Sequence, residues 1–284
     1  MQRILNIIDI SKVQRISFRN DLNGLRAVAV LSVVFYHAEI ALFQGGWLGV
    51  DIFFVISGYL ITSLILKEIY NNNFSITNFY TRRIRRIIPV LFFVIISCIP
   101  VAYIFLLPSS LIDFLNSALS TLFFSSNLYF HHTGLIYGGP DSSLKPLLHT
   151  WSLSVEEQFY IIFPVILILS RKFLKNYILH LFIIFFFVSF ISTQIISIKY
   201  PLHNFYFINV RIWELLAGSI IAYLNTNSIN ALFLTEPTAF FLVRLSPIVQ
   251  LIVTISSDAA VSKTAFMSPG FHLPDPSKIY PKNL

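Results

Sequence analysis

Charge is what this sequence has least of. Asp, Glu, Lys and Arg make up 12% of the 284 residues, against 56% hydrophobic ones. That is about half the charge of a soluble domain, and the mean hydropathy is +0.74. A water-soluble core is excluded, and the composition reads as a polytopic membrane protein. Cysteine is nearly absent. The single Cys98 lies in an apolar run, so no intrachain disulfide can form, and its simplest role is that of a small buried hydrophobe. No P-loop, no G-x-S-x-G and no C-x-x-C pair occurs, which removes the common signatures of nucleotide, serine-hydrolase and dithiol chemistry. A removable signal peptide is not expected, because no short apolar stretch with a small-residue cleavage site precedes the first long one. There is no internal repeat.

The charge that is present is mostly positive, with a formal net charge of +7. In a membrane protein such an excess marks cytoplasmic loops and lipid headgroups rather than a nucleic-acid partner. The 29 phenylalanines and 13 tyrosines suit lipid-facing and interfacial surfaces. Apolar runs predict spans at about 24–42, 47–66, 88–107, 155–170, 178–198 and 210–224. Residues 1–20, with Arg3, Lys12, Arg15 and Arg19, are expected in the cytoplasm. Residues 67–86 read as a cytoplasmic loop, in which Ser75 or Thr77 caps a short helix carrying the arginine run. The piece 114–130 is only moderately apolar. If it crossed, the RKFLK segment at 171–175 would face outward against the positive-inside bias. A re-entrant or irregular segment around 108–154 is therefore expected. After residue 225 the pattern weakens to a poor span at 232–255, with Glu236, Pro237, Arg244 and Pro247, followed by a proline-spaced loop or disordered stretch to 284.

Several residues invite a chemical reading. Ten residues separate Arg26 from His37, which puts them on one helical face roughly 16 Å apart along the axis. Arg26 alone is most simply an interfacial anchor. His37 at membrane depth is a functional candidate, and Asp51, expected at a similar depth in the next span, would set its tautomer and raise its basicity. Arg82, Arg83, Arg85 and Arg86 fall within five residues. Such density suits phosphate, although an arginine run is most simply a positive-inside anchor. Glu156 and Glu157 read as ordinary partners of a helix N-terminus capped by Ser152 or Ser154. His149 and Trp151 could line a sugar or acyl site. Arg211 and Glu214 at i,i+3 read as a salt bridge. His131 and His132 have no carboxylate at ligand spacing, so no metal is expected.

Five stretches together resemble the acyltransferase 3 family of integral-membrane O-acyltransferases that modify bacterial surface sugars. They are Arg26 with ten residues before His37, GVDIFFVISGYLIT (49–62), YTRRIRRIIP (80–89), LLHTWSLSVEEQFYIIFP (147–164) and RIWELLAG (211–218). The resemblance implies an acyl-CoA donor, usually acetyl-CoA, and a carbohydrate hydroxyl acceptor on a surface polysaccharide or lipid-linked sugar. It maps the family's arginine–x10–histidine motif onto Arg26 and His37 and its paired-arginine motif onto Arg82, Arg83 and Arg86. The expected catalytic residue is then His37, oriented by Asp51, and Arg82, Arg83 and Arg86 with Arg26 are expected to hold the coenzyme's phosphates. His149, Trp151 and Glu156 would shape the acceptor side. The expected fold is an all-α polytopic membrane protein, a bundle of about six to eight transmembrane helices in a bacterial inner membrane. Residues 21–224 form the membrane domain, incomplete relative to the roughly ten spans of the family, and 225–284 a divergent tail. A lipid-linked-sugar flippase and an inactive truncated acyltransferase are the alternatives.

Overall fold

The computed structural model describes residues 20–135, 145–174 and 177–228. Among these residues the regular structure is helical throughout: α1 (Asn20–His37), α2 (Leu48–Tyr70), α3 (Ile76–Phe105), α4 (Pro108–Leu122), α5 (Ser126–Gly134), α6 (Thr150–Phe173), α7 (Ile178–Lys199), α8 (Pro201–Tyr206) and α9 (Ile212–Ser228). Four of them, α2, α3, α6 and α7, are long and apolar enough to cross a membrane, and Ile212–Asn225 of α9 is a shorter apolar helix. The all-α membrane architecture expected from the composition is what the chain forms. Residues 1–19 of the expected cytoplasmic segment, and the tail from 229 with its weak span, lie outside the described residues.

Three helices end by the same device. Glu39, Asn72 and Phe124 have positive φ, at 57°, 55° and 52°. Each is followed by a residue whose N–H reaches five positions back: Ile40 to Phe35, Asn73 to Glu68 and Ser125 to Ser120. Each also donates its own N–H three positions back. This is the Schellman closure, in which a left-handed residue turns the chain out of the helix while satisfying its last carbonyls. It ends α1 at His37, where the apolar run predicts a span to about 42. His37 therefore stands in the last turn of α1 rather than five residues inside it.

The chain forms two compact units, Met1–Gly49 and Val50–Leu284. In the first, the backbone of residues 44–49 lies directly on α1. A Cβ on Gly46 would fall 2.1 Å from the Ser32 carbonyl oxygen, and one on Gly49 2.2 Å from that of Ala29. Only glycine allows so close an approach.

In the second unit, contacts fix the direction of each long helix. The short turn at 71–75 reverses the chain between α2 and α3. Ser75 caps α3, its Oγ accepting from the Asn78 N–H at 3.4 Å. The helix it starts is not short. It runs 30 residues through Pro89 and Pro100, so the arginines stand on the first turns of a spanning helix and the expected loop 67–86 shrinks to a turn. The start of α3 lies against the middle of α6, where the Tyr80 hydroxyl donates to the Ile161 carbonyl at 2.6 Å. The far end of α3 leads into α4 and α5, which bond to the first turns of α6. Thr121 meets Thr150 at 2.9 Å and Ser126 meets Ser154 at 2.7 Å. Helix α7 runs opposite to α9, with Ser189 donating to Asn209, Thr193 to Val210, and Phe182 packing on Tyr223. Finally, α2 and α9 run parallel: Asp51 meets Arg211, Thr62 meets Ser219, and Tyr59 meets Asn225.

Taken in chain order, α2, α3, α6, α7 and α9 alternate in direction. That alternation requires α4 and α5 to leave and return at one end of the bundle. At 15 and 9 residues they would reach only about 22 and 14 Å, short of a hydrocarbon core of about 30 Å. The described part of that segment, 108–134, is thus a helical detour, held to α6 by buried hydroxyls. Around it the core is apolar, with Phe54, Ile61, Phe79, Val155, Phe159 and Phe182 all buried.

Candidate functional site

Two charged clusters sit near opposite ends of α2. Asp51 and Glu68 are seventeen residues apart, which on a helix is about 26 Å.

The first cluster is buried. Arg211 Nη1 donates to Asp51 Oδ1 and to Glu214 Oε1, both at 2.8 Å, and the three side chains are at most 3% exposed. Arg211 Nε donates to the Phe205 carbonyl at 3.3 Å. The guanidinium also lies 5.5 Å from the ring centres of Trp151 and of Phe205. Charges removed from water this completely persist only when paired and hydrogen-bonded. The Arg211–Glu214 bridge read from i,i+3 spacing is present. The partner from α2 is an addition that the spacing did not reveal.

Backbone contact holds this cluster in register. A Cβ on Gly58 would fall 1.9 Å from the Leu215 carbonyl oxygen, and one on Gly218 1.9 Å from that of Val55. Small residues bring α2 and α9 together, as at many helix interfaces in membranes. Beside them the Thr62 hydroxyl donates to Ser219 Oγ at 2.9 Å.

The second cluster gathers at the start of α3. Arg82 donates to Glu68 Oε1 at 2.6 Å, half-exposed. The Arg83 guanidinium lies 4.3 Å from the centre of the Tyr160 ring, and the Tyr160 hydroxyl donates to Glu156 Oε1. Arg85 and Arg86 are exposed. The four arginines therefore differ: one is ion-paired, one stacked, two open to solvent.

Helix α6 begins at Thr150, four residues before Ser154, which alters the reading of its first turns. Ser152 and Ser154 lie inside the helix and do not cap it. The Ser152 hydroxyl donates back to the His149 carbonyl at 3.1 Å. Glu156 and Glu157 are buried rather than solvated partners of a helix end. The three residues expected on the acceptor side are spread out. His149 is exposed at the head of α6. Trp151 is buried against Phe205 at 4.5 Å between ring centres. Glu156 holds Tyr160.

In the first unit, Arg26 is half-buried and His37 exposed, with the His37 ring 5.3 Å from that of Tyr36. His131 and His132 stand on the last turn of α5. The His131 ring lies 5.7 Å from His203 and 4.7 Å from Phe207. Burial, and then the neighbouring His203 and His132, push the His131 imidazole below its usual value. Among the described residues no three His, Cys, Asp or Glu side chains gather as a metal site.

The sequence is similar to those of known proteins. The family model for the acyltransferase domain matches residues 19–270. The O-acetyltransferase OatA of Staphylococcus aureus (strain NCTC 8325) is 37% identical over 72% of this chain and 34% of its own length. A protein of Bacillus subtilis (strain 168), assigned provisionally as the peptidoglycan O-acetyltransferase YrhL, is 38% identical over 74% of this chain and 34% of its own length. The chain thus spans about a third of the curated relatives it matches. No solved structure matches it. With the family model covering most of the chain, this chain is a member of the acyltransferase 3 family.

Proposed function

We propose that the chain transfers an acyl group, acetyl in the first instance, from acyl-CoA to a hydroxyl of a surface polysaccharide or lipid-linked sugar in a bacterial inner membrane. The observation that carries this is the match over residues 19–270 to the acyltransferase domain, whose relatives include named O-acetyltransferases. The clusters support it. Arg83 and Arg86, with Arg82 and Arg26, are the candidates for the coenzyme's phosphates, since guanidinium forks suit phosphate oxygens. His37 is the candidate general base and Asp51 the carboxylate that assists it. His149, Trp151 and Glu156 are the candidates for shaping the acceptor side. In the reaction the acceptor oxygen bonds to the acyl carbon, its proton passes to the base, and the thioester C–S bond breaks to release coenzyme A. A positioned base contributes about 10²–10⁴-fold.

The test is transfer of label from acetyl-CoA to purified surface polysaccharide by membranes containing the chain. Label should appear in the polysaccharide, and His37→Ala should lower the rate at least about 10²-fold. Undiminished transfer in His37→Ala removes this mechanism. Saccharide translocation without any need for coenzyme A removes the acyltransferase reading.

A further inference from the structure

We propose that Arg211 is a positioning residue for Asp51, holding that carboxylate in one orientation from the start of the adjacent helix α9. The inference rests on the acyltransferase reading, which gives Asp51 a part in the chemistry.

Four observations support it. Asp51 Oδ1 accepts from Arg211 Nη1 at 2.8 Å, which ties the carboxylate to the arginine. Arg211 cannot follow a moving carboxylate, because Glu214 takes the same Nη1 at 2.8 Å and the Phe205 carbonyl takes Nε. Its guanidinium plane is packed by Trp151 and Phe205. Lastly, Asp51 lies on α2 and Arg211 immediately precedes α9, and Gly58 and Gly218 put the backbones of these two helices in contact. A surface ion pair has none of these constraints. The cluster also gives buried Trp151 a role that an acceptor-site assignment does not: it forms one wall of the arginine's socket.

A positioning role differs from a purely structural one in its kinetics. An interaction needed only in the transition state lowers kcat and leaves KM unchanged. In proteoliposomes of the full chain with labelled acetyl-CoA, Arg211→Met should lower kcat at least about tenfold, with KM for acetyl-CoA within about twofold. Arg211→Lys keeps the cation but loses the planar fork, and it should fall between Arg211→Met and the parent. Where Arg211→Met does not insert stably, Arg211→Lys decides the matter. In an Asp51→Asn background Arg211→Met should cost nothing further, because its route of action is already gone. Wild-type kcat in Arg211→Lys and Arg211→Met overturns the inference. So does an equal loss with and without Asp51, which would make Arg211 structural. A parent chain without any transfer overturns the acyltransferase reading, and this inference with it.

Discussion

At the scale of single residues, burial decides more than charge does. Arg82–Glu68 and Arg211–Asp51 are both short ion pairs, yet only the second is stripped of water. An exposed pair contributes about 0–1 kcal/mol, whereas removing one partner of a buried pair costs about 3–5 kcal/mol. The i,i+3 spacing of Arg211 and Glu214 was enough to read their bridge. Nothing local could show Asp51, which lies 160 positions away in the chain. The histidines give a pH prediction. His131 is held below its usual value first by burial, so the folded chain favours the neutral ring. Its contribution is complete above about pH 6.5, the ordinary histidine value. As the pH falls further, the unfolded chain takes the proton first and stability is lost until the folded ring is protonated. Thermal unfolding in detergent from about pH 7.5 to 5 should therefore show a smaller acid loss in His131→Phe than in the parent.

At the scale of elements, helix ends and glycines do the deciding. The apolar runs located α7 to within a residue and α6 to within a few. They misplaced the end of α1 and the start of α3, because caps rather than hydrophobicity stop a helix. Glu39 is a poor sequence signal for a left-handed closure, which usually falls to glycine or asparagine. Ser75 was a good one for a start. The glycines at the α2–α9 crossing make a second prediction. Gly58→Ala puts a methyl 1.9 Å from a backbone oxygen, so the helices must separate. A destabilisation on the order of 1–3 kcal/mol is expected, outweighing the gain of up to about 1 kcal/mol from replacing a helical glycine. Gly24→Ala has nothing within 4 Å and should be neutral or slightly stabilising. Melting of both variants in one detergent checks the contrast.

At the scale of the molecule, the parallel pairing of α2 and α9 is what selects a path. It requires the segment at 108–134 to return to the side it left, in agreement with the positive charge of Arg171 and Lys172 at the end of α6. In a Cys98→Ser background, Asn72→Cys and Leu174→Cys should react with an impermeant maleimide from one face of the membrane, and Leu107→Cys and Tyr200→Cys from the other. Labelling of Leu174→Cys from the same face as Leu107→Cys would mean that α4 and α5 cross, and would break the alternation.

The sequence by itself determined that this is a helical membrane protein of the acyltransferase 3 family and where most of its spans fall. Hydrophobic runs, arginine placement and short motifs are local, and each acts through its own neighbours along the chain. Only the tertiary structure decided that Asp51 answers to Arg211, that Trp151 walls the arginine in, and that Arg83 rests on Tyr160. Those pairings depend on which helix faces meet, and that is set by glycine contacts and buried hydroxyls whose partners are distant in sequence.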